Sequence, residues 1–372
     1  GIPTEQRQLS CQLGMNTWQQ FRLIEWPALL RQVFPVAALI FMICFASFAT
    51  VLALGGGPKA TTIEVAIYQA LRYDFDLSRA ALLALVQLLS CLVIMVVSQK
   101  LSTSLPVGES REFSWRAHLT SRKLCCYDSL LISLLILLVF PPLLAVVYEG
   151  VNAALFDVLA QPRLWQALLT SLHIALGAAI VSVTLTMMLL WSSRILYFYG
   201  EKQKARWLEL SGMTVLAMPT IVLATGFFLL FIHYGGLPES PIYLIIFVNG
   251  LIAIPYTLKV LTVPMYTLTE RYHFISLSLG IKGVTHLRLI ELKALKQPLV
   301  QAFALASLLS IGDFGIIALF GSEQFTTLPY YLYEQLGAYR SQQGAVTALI
   351  LLLFCLSIST FIERLTLHDH AK

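Results

Sequence analysis

Asp313 is the one charged residue in the run Leu299 to Phe320, which is long enough to cross a bilayer. An ionisable group at that depth costs a few kcal/mol unless it faces a cavity or a partner, so this carboxylate could line a path, form a gate or attract a cation. The competing reading is structural: Gly312 and Gly315 admit a neighbouring helix and Asp313 bonds across it. His173, in the run Ala167 to Trp191, reads as a hydrogen-bonded packing residue rather than a ligand or proton relay. His368 and His370 form a pair only on the tail, and Cys11, Cys44, Cys91, Cys125, Cys126 and Cys355 lie in apolar runs or basic stretches, so no metal, disulfide or cofactor is expected. Gly55-Gly56-Gly57-Pro58-Lys59 lacks both the spacing and the following Ser or Thr of a phosphate-cradling loop, and Asp313-Phe314-Gly315 stands without the other parts of a kinase. With no nucleophile and base in evidence, an enzyme is not expected, and any ATP hydrolysis must come from another chain.

The elements that position Asp313 are membrane helices. The chain is 58% hydrophobic and 12% charged, with a mean hydropathy of +0.76; a soluble domain carries about twice that charged fraction. Eight apolar runs stand out: Val33 to Leu54, Ala80 to Ser98, Ser129 to Val147, Ala167 to Trp191, Met213 to Ile232, Ile242 to Leu258, Leu299 to Phe320 and Ala345 to Ile362. Each approaches the roughly 20 residues that span a bilayer core, and none alternates with the period of a barrel strand, so an all-α protein with eight transmembrane helices is expected.

Charge fixes the sidedness. Of the 25 basic residues, 20 lie in residues 1–32, 99–128, 193–211, 259–298 and the tail from 364, which are therefore cytoplasmic. The net charge of +5 is thus explained by topology and gives no support to nucleic-acid binding. The short segments Thr61–Leu71 and Thr327–Tyr339 fall outside and are amphipathic, so they are expected as interfacial helices with their apolar sides in the headgroup region.

The chain also repeats itself. Leu13, Gly14, Arg22, Leu23, Ile24, Glu25, Ala28 and Leu29 recur 266 positions later in the stretch 279–296. Ala46-Ser47-Phe48-Ala49 falls opposite Gly312-Asp313-Phe314-Gly315, Gly55 opposite Gly321, and, after a one-residue slip, Tyr68 opposite Tyr333. Both basic loops lie on one side, so the copies are parallel pseudo-repeats with a substrate pathway expected between them.

At these loops the sequence resembles the binding-protein-dependent ABC importer permeases, whose cytoplasmic signature runs E-A-A, a Gly, then I-x-L-P. The first copy has Gly14, Ile24, Glu25 and Pro27; the second has Gly280, Ile290 and Glu291, with Lys293 in place of the Pro. Neither copy keeps the Glu-Ala-Ala: Gln8-Leu9-Ser10 and Phe274-Ile275-Ser276 stand there instead. The resemblance implies a type I importer permease fold and ATPase-coupling loops at these residues, the second over about 270–298, in which the glycine allows a turn and close backbone approach. It also makes Asp313 and its counterpart Ser47 candidates for the translocation path or gate.

Within that family the stretches FASFATVLALGGGP (45–58), LAMPTIVLATGFFLL (216–230) and SIGDFGIIALFG (310–321) are similar to permeases for thiamine or thiamine pyrophosphate. That likeness alone carries the substrate; iron(III) and polyamine permeases share every physical argument. It implies an ATP-binding cassette ATPase subunit, a periplasmic thiamine-binding protein and membrane lipid as partners, and the bacterial inner membrane as the location. An ion-coupled secondary transporter would carry more intramembrane charge. Permeases of this kind fuse two six-helix halves. Residues 1–128 are therefore read as the C-terminal part of the first half and 129–372 as the complete second half, with about four or more helices expected to precede Gly1.

Overall fold

The computed structural model describes residues 9–10, 12–45, 47–55, 61–101, 122–234, 241–280, 283–321 and 325–367. His368, His370, Gln8, Cys11 and Lys59 lie outside them. The regular elements among the described residues are helices. The principal ones are α1 (Trp26–Phe45), α2 (Phe48–Leu54), α3 (Ile63–Arg72), α4 (Leu77–Leu101), α5 (Arg122–Gly150) and α6 (Pro162–Phe198). They continue with α7 (Lys202–Thr214), α8 (Thr220–Tyr234), α9 (Ile242–Ser278), α10 (Lys296–Gly312), α11 (Gly315–Phe320), α12 (Leu328–Gly337) and α13 (Ser341–Leu367).

Local chemistry sets many of the ends. Asp76 receives the backbone N–H of Arg79 at 3.0 Å and so caps α4. Pro opens α6 at Pro162, where its missing N–H costs nothing. Met218 is extended because Pro219 follows it, which stops the preceding short 3-10 turn at Ala217.

Five helical stretches are long and apolar enough to cross a membrane: Leu77–Val97, Cys126–Gly150, Pro162–Phe198, Ile242–Tyr272 and Ser341–Thr360. A sixth arises if Leu287–Ala294 and Lys296–Gly312, bent by 65°, count as one. The other expected runs are not single helices. Val33 to Leu54 is divided between α1 and α2, Leu299 to Phe320 between α10 and α11, and Met213 to Ile232 ends in the 15-residue α8. The fold is thus an all-α polytopic membrane fold.

The chain forms two compact units, residues 1–46 with 89–145 and residues 47–88 with 146–372. The most apolar part of α5 has no buried residue among the described residues. In the second, α6, α9 and α10 form the centre, with Leu190, Leu258, Leu261, Met265, Leu295 and Ala302 packed between them. Small residues allow that closeness: a Cβ on Gly250 would stand 2.8 Å from the Val181 Cβ. Thr257 bonds both Ser182 at 3.2 Å and Thr186 at 2.6 Å, polar contacts of the kind that hold helices together in lipid. Ala302, Ala306 and Ser310, the small-residue stripe of α10, are all buried.

Two expectations need correction. The apolar side of α3 is not bare toward lipid, since Val65, Ile67, Tyr68 and Leu71 are buried by other parts of the protein, and that of α12 is covered at Leu328 and Tyr331 while Leu336 stays exposed. Their amphipathic pattern reflects a protein core, which has the same apolar demand as a headgroup boundary. His173 is exposed on α6 rather than packed.

Candidate functional site

The two loops singled out by the repeat have matching backbones. Gly14 has φ +67° and Gly280 φ +66°, the left-handed region that glycine enters without strain. Among the described residues, chain neighbours aside, no atom comes within 4 Å of the place a Cβ would occupy on either. The glycines therefore serve the turn, and no close approach is made there among the described residues. Seven residues further on, each loop widens into a π-helical turn, Phe21–Glu25 in one and Leu287–Glu291 in the other.

Ile24 and Ile290 are half-buried within these turns, and Pro27 follows as the second residue of α1. Glu291 is fully buried. Its carboxylate accepts the Trp191 indole N–H at 2.7 Å and an Arg194 guanidinium N–H, and pairs with His286 Nδ1 at 2.8 Å. The Arg194 guanidinium also lies over the Trp191 ring at 5.7 Å. A desolvated carboxylate needs such compensation. Glu291 consequently anchors its loop to α6 from within, while Glu25 at the matching position is half-buried. Beside this anchor, Glu209 receives the hydroxyls of Tyr266 at 2.6 Å and Ser193 at 2.7 Å, which joins α7, α9 and α6.

The second cluster surrounds the two helix breaks. Ser47 precedes α2 with φ −88° and ψ 85°, and Asp313 precedes α11 with φ −76° and ψ 124°. The Asp313 carboxylate accepts the backbone N–H groups of Gly315 and Ile316. This forward bonding competes with the helix and explains the break. Its Oδ2 is buried without a hydrogen-bond partner among the described residues.

Glu64 of α3, only 1% exposed, accepts a hydrogen bond from Gln87 Nε2 at 3.1 Å. Burial pushes the Glu64 carboxyl up to about 7; the Gln87 bond lowers it and the nearby Asp313 charge raises it again. Among the described residues the Gln87 Oε1 has no partner. Around these groups Phe48 stacks on Phe314, Tyr68 packs edge-on against Phe48, and Tyr330 and Tyr333 pack on Phe314. Asn249 donates to Ser310 Oγ at 3.0 Å one turn before the break. Among the described residues no group of three His, Cys, Asp or Glu could hold a metal ion.

Residues 1–105 match the family model described as binding-protein-dependent transport system inner membrane component. The thiamine transport system permease protein ThiP of Salmonella typhimurium is 59% identical over 374 residues, covering 100% of this chain and 69% of that protein. The chain belongs to the thiamine transport system permease family. The ThiP protein of Escherichia coli K12 is also 59% identical, over 98% of this chain and 68% of its own length. That of Haemophilus influenzae is 40% identical over 97% and 67%. As a member of this family, the chain is a multi-pass inner-membrane transport subunit and not an enzyme.

Sequence reasoning brought forward Asp313 and Ser47 but passed over Glu64, Gln87 and the aromatic cluster. A signal existed for each. Glu64 is the only charged residue in TIEVAIYQAL (62–71), and Gln87 the only amide in the apolar stretch ALLALVQLLSCLV (81–93). Phe48 and Phe314 occupy equivalent places in the repeat already aligned.

Proposed function

We infer that this chain is the permease subunit of an ATP-binding-cassette importer that passes thiamine or its phosphate esters from a periplasmic binding protein into the cytoplasm. The observation that carries the reading is 59% identity along the whole chain to proteins named as thiamine transport permeases. The partners in this reading are a periplasmic thiamine-binding protein, an ATPase subunit acting as a dimer, and membrane lipid.

Eight crossings and two parallel pseudo-repeats belong to the same proposal, with 1–128 as part of one half and 129–372 as the other. Its support is recurrence of local geometry: left-handed glycines and π turns 266 positions apart, and ten-residue helices, Ile63–Arg72 and Leu328–Gly337, displaced by 265. Each helix break then lies within one crossing. The loops carrying Gly14, Ile24, Glu25 and Pro27, and Gly280, Ile290 and Glu291, seat on the ATPase. Closure of the ATPase dimer draws the loops together, and the movement reaches Ser47 and Asp313 through the helices that follow each loop.

The test is ATP hydrolysis by the complete transporter in lipid, stimulated in turn by loaded binding proteins for thiamine, iron and polyamine. Stimulation by the thiamine protein alone is expected. Stimulation by the iron or polyamine protein instead would overturn the substrate.

A further inference from the structure

We propose that the Phe48–Phe314 ring pair, braced by Tyr68 and Tyr333, closes the outer end of the pathway and selects a planar aromatic cation as it opens. The proposal rests on the reading of the chain as a permease with two parallel halves. Phe48 and Phe314 are 266 positions apart and equivalent in the repeat. Their rings stack with centroids 5.8 Å apart and planes 20° apart. A residue touches its own equivalent only at the two-fold axis relating the copies, so this contact marks the axis itself.

The surroundings repeat as well. Each ring follows a helix break, at Ser47 in one copy and Asp313 in the other. Each is packed against the equivalent tyrosine of its own copy's ten-residue helix: Tyr68 on Phe48 at 5.4 Å and 64°, Tyr333 on Phe314 at 5.2 Å and 58°. Phe48 is 5% and Phe314 6% exposed, so the pair is shut. A solute moving along the axis between the halves must separate these two rings.

Separation bares two aromatic faces. A flat aromatic solute covers both again, and if it carries delocalised positive charge it is also drawn to the negative ring faces. A hydrated metal ion or an aliphatic polyamine lacks the flat apolar area. A polar group beside the rings completes the match. Asp313 Oδ2, next in sequence to Phe314, is a buried acceptor without a partner among the described residues, and it leaves bonding capacity for a cation with an amino group that lodges between the rings.

The experiment uses the complete transporter in vesicles preloaded with labelled thiamine or labelled choline, a cation without a ring, in the absence of ATP and binding protein. Wild type should retain both. Phe314→Leu, which keeps apolar bulk but removes one ring, should leak thiamine at least about fivefold faster than choline. Phe48→Leu with Phe314→Leu should leak both at similar rates, at least about tenfold above wild type. Phe314→Tyr should stay tight. Should the leucine variants fail to assemble, Tyr333→Leu leaves the pair unbraced and should leak thiamine measurably. An assembled double variant as tight as wild type overturns the closure, and equal thiamine and choline leak from Phe314→Leu overturns the selection. The leak needs no ATP, whereas the permease reading fails separately if wild type takes up no thiamine with its ATPase and loaded binding protein present.

Discussion

Trp191 donates its indole N–H to Glu291 at 2.7 Å, so the last residue of a π turn is fastened to the helix that runs through the centre of its unit. The same carboxylate holds Arg194, which makes this a buried ion pair with an aromatic clamp. Removing one member leaves the other charge desolvated. Glu291→Ala should therefore cost about 3–5 kcal/mol, read as a lowered unfolding temperature in detergent, with loss of bound ATPase. Glu291→Gln keeps an acceptor for the indole and should cost less. Equal unfolding temperatures for Glu291→Ala and wild type would remove the anchor.

Gly14 and Gly280 test the loops without disturbing the packing of the described residues, none of which, chain neighbours aside, comes within 4 Å of an added Cβ. Replacement by Ala or Arg puts a side chain on left-handed backbone at a cost of about 1–2 kcal/mol. The strain is local, so membrane insertion should persist while ATPase binding weakens and hydrolysis becomes uncoupled from uptake. Gly→Asn, which tolerates that region better, should be milder. Full ATPase retention and normal coupled uptake in both Arg variants would show that these loops do not dock.

Asp313→Asn preserves shape and the acceptor for the N–H groups of Gly315 and Ile316 but drops the charge. Uptake should fall several-fold with protein levels and unfolding temperature near wild type. Unchanged uptake at normal expression would take Asp313 off the path and leave it as the residue that breaks the helix.

Glu64 makes stability depend on pH. Its carboxyl titrates near 7 in the fold against 4.5 unfolded, so between these values the folded chain holds more protons and stability falls as pH rises. The contribution is fully present below pH 4.5 and lost as pH passes 7, an upper bound of about 3 kcal/mol. Glu64→Gln should flatten unfolding temperature across that window and exceed wild type at pH 8. An unchanged slope in the variant would assign the dependence to other groups.

Long elements were legible in the sequence because burial in lipid asks one thing of a helix, and α4, α5, α6, α9 and α13 answer with uninterrupted apolar runs. Breaks were not. Gly312-Asp313-Phe314-Gly315 reads as helix by hydropathy, and the interruption depends on a carboxylate turning forward to two backbone N–H groups. The burial of α3 was hidden for a related reason: Glu64 is satisfied by Gln87, 23 residues away on another helix, which no local pattern announces. Glu291 was visible as part of a repeated motif, but its role depends on Trp191 and Arg194, about 100 residues earlier.

A π turn is an α-helix into which one residue has been inserted. Arg22-Leu23-Ile24-Glu25 and Arg288-Leu289-Ile290-Glu291 carry that insertion at equivalent points, although Trp26-Pro27 follows one and Leu292-Lys293 the other. On the two-repeat reading proposed above, one extra residue inherited by both copies accounts for the match more simply than two separate insertions, and both copies have kept it while their flanking sequences diverged.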